Sequence, residues 1–251
     1  MNVKKKSTPS LSEYLSLIEK GDRQVLAKAI TLVENQTELS IPRSPKRPHV
    51  IGITGAPGVG KSTTINSMIK FLRKNDKSVA VIAVDPSSPI TGGALLGDRI
   101  RLNEHFLDPK VFIRSLATRG HLGGLSAAAA NAIAVTEYGD FDYIIVETVG
   151  VGQSEVEVMK YVETVVIVLA PGMGDGIQAS KAGLLEIGHI YLVNKSDRDG
   201  AKALARELEK SLNLMGKKPG WTPPILLGTM ENSTGIDELI HAIMEHQTKN
   251  S

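Results

Sequence analysis

Cysteine is absent from all 251 residues. Disulfides, thiolate metal sites and thiol catalysis are thereby excluded, and a reducing compartment is permitted. Aromatic residues are scarce, at 4%. The core must therefore come from Ile, Val, Leu and Ala, which suits a parallel sheet covered by helices better than an aromatic-rich sandwich. No apolar run reaches bilayer-spanning length, and the opening residues hold no signal-peptide core. A soluble, cytoplasmic chain without membrane contact is expected. Charge of one sign is lacking too: the formal net charge is +2, which makes no case for nucleic acid as a partner. The basic run Lys4-Lys5-Lys6 reads as a solvated terminus. The six histidines are scattered without a close pair, and His121, His241 and His246 are expected on the surface or in loops. That spacing argues against a dedicated metal-delivery site.

What is present is hydrophobic periodicity. Residues 10–36 carry Leu11, Leu15, Ile18, Val25, Leu26, Ala29, Ile30 and Val33 at helical spacings, interrupted by Gly21-Asp22, so two short helices are expected. Pro42, Pro45 and Pro48 make the next stretch an extended connector. The chain thus divides into an N-terminal helical extension (1–40), a Pro-rich connector (41–48) and a main domain (49–251). In that domain, strands are expected at His49–Thr54, Ser78–Val84, Val111–Ser115, Tyr143–Glu147, Thr164–Ala170, Ile190–Asn194 and Pro224–Gly228. Helices are expected at Lys61–Lys74, Leu122–Tyr138, Ile177–Glu186, Arg198–Leu214 and Ile236–His246. Such βα repetition predicts an α/β fold with a doubly wound, mostly parallel sheet of about seven strands, ligands binding at the strands' carboxyl ends. The Ala127–Ala130 run marks a close helix contact.

The strongest motif is Gly55-Ala56-Pro57-Gly58-Val59-Gly60-Lys61-Ser62, followed by Thr63 and set between a β-branched strand and a helix. Glycines let backbone N–H groups curl around phosphate oxygens, and the helix N-terminus adds its positive dipole end. Lys61 reaches the β- and γ-phosphates as a point charge, and the short Ser62 hydroxyl ligates a bridging Mg²⁺. Glu147 ends an apolar strand before Thr148-Val149-Gly150 and takes the acidic metal-side position. Two further carboxylates sit nearby in pattern: Asp85 joins the metal or caps a turn before Pro86, and Asp98 joins it or is a surface charge. Gly150 lets the backbone approach the γ-phosphate and swing away. Val151 stands where many GTPases place a water-orienting glutamine. Gln153 is the nearest substitute or a polar switch residue, and slow intrinsic hydrolysis follows. The catalytic candidates are Lys61, Glu147, Gly150 and Gln153. Pro171–Gln178 holds three glycines in its centre and reads as a third switch.

Asn194-Lys195-Ser196-Asp197 closes a strand and selects guanine. The Asp197 carboxylate accepts from ring N1–H and the exocyclic amine, a donor pair adenine lacks. Asn194 reads O6 or N7, or braces the pocket, and the Lys195 stem covers the base. Gly228–Asn232, with Thr229 and Met230, follows the last strand and is a candidate to place backbone N–H groups near the base. The expected ligands are GTP/GDP and Mg²⁺.

These residues together resemble the MeaB/ArgK family of P-loop GTPases. The likeness runs from roughly Gly21 to His246, through Asp22–Glu34, Gly55–Thr64, Val84–Pro89, Gly92–Arg99, Glu147–Glu155 and Asn194–Asp197. It implies a GTPase chaperone that gates adenosylcobalamin loading and protects an acyl-CoA mutase, typically methylmalonyl-CoA mutase. It also implies that Asp85, Asp98 and Glu147 form the metal side with Ser62, and that Gln178 and Lys181 serve a third switch. Family members usually continue into a helical C-terminal arm that dimerises. This chain stops at Ser251, so that dimer is not expected, while a homodimer across the nucleotide face stays open. The alternatives are a kinase or ATPase accessory to amino-acid transport, and a metal-insertion GTPase.

Overall fold

The computed structural model describes residues 10–34, 40–86, 102–118, 122–148, 153–172, 183–215 and 220–250. Seven strands form one sheet in the order β3-β2-β4-β1-β5-β6-β7, and every pairing is parallel. They are β1 (His49–Thr54), β2 (Val79–Pro86), β3 (Val111–Thr118), β4 (Tyr143–Thr148), β5 (Thr164–Leu169), β6 (Ile190–Val193) and β7 (Ile225–Leu227). Among the described residues the helices are α1 (Leu11–Glu19), α2 (Arg23–Glu34), α3 (Lys61–Lys74), α4 (Leu122–Thr136), α5 (Gln153–Val158), α6 (Leu184–Ile187), α7 (Ala201–Met215) and α8 (Ile236–Asn250).

All residues of β1, β4, β5 and β6 are buried, because alternate side chains feed two separate cores. Ile144, Val146, Ile167 and Leu169 face α1, α2, α4 and α7. Ile145, Val166 and Val168 face α3 and α8. The N-terminal helices are thus built into the first core through Leu15, Ile18, Leu26, Ile30 and Val33. Ser10 opens α1 with a capping box closed by Glu13, and the Asp22 carboxylate caps α2 by accepting from the N–H groups of Gln24 and Val25. Arg23 donates to the Val111 carbonyl and Arg114 to the Thr31 hydroxyl, each at 2.8 Å. The connector is tied by Tyr138, whose hydroxyl donates to the Pro42 carbonyl at 2.8 Å. The alanine run does mark a close contact: Ala29 of α2 and Ala129 of α4 are both fully buried.

Boundaries differ from expectation in a few places. β2 and β3 run further, pairing as far as Pro86 with Thr118. α7 begins at Ala201 because residues 198–200 form a turn, with Arg198 N–H on the Lys195 carbonyl. Of the helix expected over Ile177–Glu186, the described part starts at Leu184 behind Gly183, and residues 173–182 lie outside the described part.

The histidines require a correction. His246 is buried, not at the surface, and folding creates the close pair that sequence spacing hides. His189 stacks on His246 with ring centroids 4.3 Å apart. The Thr164 hydroxyl meets His49 Nε2 and His246 Nδ1, each at 2.8 Å. The cause is topological, since His49 and Thr164 open strands, His189 precedes one, and α8 lays His246 across their amino ends. His241 is exposed as expected, and His121 lies outside the described residues.

Candidate nucleotide site

The site begins where β1 ends. Thr148 of β4 donates its hydroxyl to that of Thr54 at 2.9 Å, locking the two central strands where both pass into loops. The following loop needs glycine in two places. Gly55 has φ 148° and Gly60 has φ 98°; a β-carbon would run into the Val168 carbonyl at the first and the Asn194 amide at the second. Gly60 is the N-cap of α3, so the helix brings its unpaired N–H groups and positive dipole end to the loop. Pro57 and Gly58 are exposed while Val59 is buried in the second core.

Lys61 is buried and folds back over the loop, donating to the carbonyls of Gly55 at 2.8 Å and Ala56 at 3.2 Å. The Ser62 hydroxyl donates to Glu147 Oε1 at 2.9 Å. Both groups are nearly removed from solvent, at 4% and 3% exposure, and register explains their meeting: Glu147 lies level with Ile53 of β1 and Ala83 of β2. Asp85 pairs with Ala117 within β2 and β3, so its backbone is that of a strand residue at the carboxyl edge, beside β4. The side chains of Asp85 and Gln153 lie outside the described part, as do all of Asp98 and Gly150. So do Val151 and the third-switch residues Gln178 and Lys181. Of the residues expected on the metal side, the described pair in contact is therefore Ser62 with Glu147. A hydroxyl and a carboxylate are hard oxygen donors, the kind Mg²⁺ takes beside phosphate. Among the described residues, no cluster of three or more His, Asp or Glu is arranged to hold a metal by itself.

On the other side of the loop lies a cavity of about 290 Å³, walled by Gly60, Thr63, Asn194, Lys195, Asp197, Arg198, Thr229 and Glu231. Asn194 is a brace. Its Nδ2 donates to the Val59 carbonyl at 2.9 Å, and its Oδ1 accepts from the N–H groups of Lys195 at 2.8 Å and Met230 at 3.0 Å. Lys195 holds φ 57° and spans back to donate to the Gly58 carbonyl at 2.7 Å. Asp197 is exposed to the cavity and accepts from the Thr229 hydroxyl at 3.0 Å. The Met230 N–H is turned to Asn194, and the loop meets Asp197 through the Thr229 hydroxyl, a contact the residue pattern did not reveal. Its only signal was a hydroxyl residue directly after Gly228, one residue past the end of β7. A larger cavity of about 610 Å³ lies between α7 and β7, lined by Leu212, Trp221 and Ile225 among others. None of the phosphate-loop or Asn194–Asp197 residues borders it.

A parallel α/β sheet with this loop after its central strand and this braced cavity beside it defines a P-loop nucleoside triphosphatase. Residues 26–251 match the family model described as methylmalonyl Co-A mutase-associated GTPase MeaB. The chain belongs to that family, and it is a GTPase. It is 39% identical to GTPase ArgK of Escherichia coli over 253 residues, covering 95% of this chain and 76% of that one. It is 36% identical to the mitochondrial methylmalonic aciduria type A homolog of Mus musculus, covering 93% of this chain and 62% of that one. A crystal structure of an LAO/AO transport system kinase superposes with a TM-score of 0.70 at 30% identity, over 95% of this chain and 75% of that one. Structures of the hydrogenase maturation factor HypB, at 15% identity or below, share the fold alone. Among the described residues, no helix is long and apolar enough to cross a membrane.

Proposed function

We propose that the chain binds Mg²⁺·GTP along the carboxyl edge of the sheet, hydrolyses it slowly, and uses the bound state to chaperone an adenosylcobalamin-dependent acyl-CoA mutase of the methylmalonyl-CoA type. In this reading it gates cofactor loading and protects the loaded mutase. The family match over most of the chain supports the client class. The braced cavity ending in Asp197 supports the base.

The proposed roles divide along the edge of the sheet. Backbone N–H groups of the 55–62 loop, Pro57 excepted, and of the start of α3 bind the phosphates. Lys61 exchanges its two carbonyl partners for phosphate oxygens, which carry more charge. Ser62 and Glu147, with Asp85 and Asp98, hold Mg²⁺ directly or through water. That ion supplies charge neutralisation to the phosphates. Gly150 and Gln153 place the attacking water's surroundings, and Lys195 and Asp197 bind guanine between them.

The deciding experiment measures GTP turnover with and without the acyl-CoA mutase of the same organism. Acceleration and co-elution are expected, and failure of both removes the chaperone reading. The likeness to the LAO/AO transport system kinase favours a second reading, transfer of the γ-phosphoryl group to a protein acceptor. Labelled γ-phosphate separates the two. Release as inorganic phosphate fits the chaperone, and label retained on protein fits the kinase.

A further inference from the structure

Ser67 lies on α3 beyond the phosphate-binding end and takes part in none of the contacts described above. It is buried, and its hydroxyl donates to the Met230 carbonyl at 2.6 Å, while the Ser233 hydroxyl donates to it at 3.3 Å. Met230 is itself buried. A buried serine meeting a nearby carbonyl is ordinary packing, but this carbonyl belongs to the segment that shapes the base cavity. The Met230 N–H is held by Asn194, and Thr229, one residue before, holds Asp197. Thr229 and Thr234 close the segment by pairing their backbones. It is thus gripped on one side by the guanine-reading residues and on the other by the helix that carries the phosphate site.

We propose that Ser67 is a positioning residue for base recognition, setting the 229–234 segment at the height where Thr229 aligns the Asp197 carboxylate. The inference rests on the reading of the cavity as a guanine site and adds what holds it in register with the phosphates. Without the hydroxyl, the buried Met230 carbonyl loses the shorter of its two donors and keeps the Ser233 N–H at 3.3 Å, and the segment shifts to shorten that remaining bond. Asp197 is then free to turn from the edge of the base. The phosphate contacts, made by residues 55–62, stay in place.

The test compares affinities for GDP and IDP, which differ only by the amine that Asp197 reads. In the wild type GDP is expected to bind more tightly. Ser67→Ala is expected to lower the GDP-to-IDP ratio by about fivefold to tenfold, because GDP loses two hydrogen bonds to the Asp197 carboxylate where IDP, which keeps the ring N1–H, loses one and is weakened by the smaller factor. Ser67→Cys keeps the shape with a weaker donor and is expected to lower the ratio about twofold to threefold, which serves if the alanine variant fails to fold. A merely structural role would weaken both nucleotides by the same factor and leave the ratio unchanged. A wild-type ratio in folded Ser67→Ala, or in Ser67→Cys where only that variant folds, overturns the inference and leaves the guanine site standing. A wild type without preference between GDP and IDP overturns the guanine site and the inference with it.

Discussion

At the scale of single residues, the site separates groups that hold shape from groups that are free to read. Asn194 spends its amide on Val59, Lys195 and Met230, whereas Asp197 keeps an exposed carboxylate with the Thr229 hydroxyl as its described partner. The expected consequences differ. Asp197→Asn should shift preference from guanosine to xanthosine nucleotides, weakening GTP by about 10-fold to 100-fold, the worth of a charged hydrogen-bond pair. Calorimetric titration with both nucleotides checks it, and unchanged specificity would remove the base assignment. Asn194→Ala should instead destabilise the protein by about 1–3 kcal/mol, because it leaves the buried Met230 N–H unpaired; a urea midpoint equal to the wild type's would contradict the bracing role. Lys61→Ala should reduce turnover by about 10²–10³-fold, the usual cost of one group aimed at developing charge, and near-normal turnover would show that the ammonium does not reach the phosphates.

Among the elements, some ends were legible and others were not. β1 and α3 fall on the expected residues because a β-branched run and a glycine cap mark them unambiguously. β2 and β3 outrun expectation since their last residues pair with each other, and pairing partners leave no local signal. The phosphate loop and the Asn194–Asp197 strand end were readable because backbone shape dictates residue type there. The Ser67 bridge and the His49–Thr164–His246 contacts were not, since a short polar side chain reaching a distant backbone has no sequence period. Nor did periodicity indicate where α1 and α2 pack. Their burial against α4 predicts that they unfold with the sheet. Ile30→Ala, at a fully buried position, should cost about 2–5 kcal/mol and lower the melting midpoint seen by Trp221 fluorescence. Trp221 is the single tryptophan and lies at the far edge by β7. A Trp221 transition that ignores the substitution would make the helices an independent appendage.

For the molecule as a whole, the carboxyl edge of the sheet gathers the candidate nucleotide groups, while ionisable side chains elsewhere contribute to how the fold responds to acid. Burial pushes the His105 imidazole below its ordinary 6.5; Glu104 and Asp108 oppose this and Lys70 adds to it. Its Nε2 meets the Asn66 side-chain oxygen on α3 at 2.6 Å. A histidine that is harder to protonate folded than unfolded adds stability above 6.5 and withdraws it as pH falls through the folded value. Glu163 and Asp108 act lower down. The His49 ring holds the Glu163 carboxyl below 4.5 against the opposing effect of burial. His49 Nδ1 lies 2.9 Å away, off the line of a good hydrogen bond. Arg73 holds Asp108 below 3.8. Carboxyls lowered in the fold stabilise it above their unfolded values and lose that contribution in acid. Glu137, raised by burial and by Glu163, works the other way from 4.5 upward. Urea midpoints should therefore decline in two stages, a shoulder starting near pH 6.5 and a steeper fall below about pH 4.5. His105→Gln keeps a donor for Asn66 without the titration, so it should flatten the shoulder and leave most of the lower stage in place, where Arg73 and not His105 is the main partner of Asp108. A shoulder that persists in that variant would show that His105 is not its source.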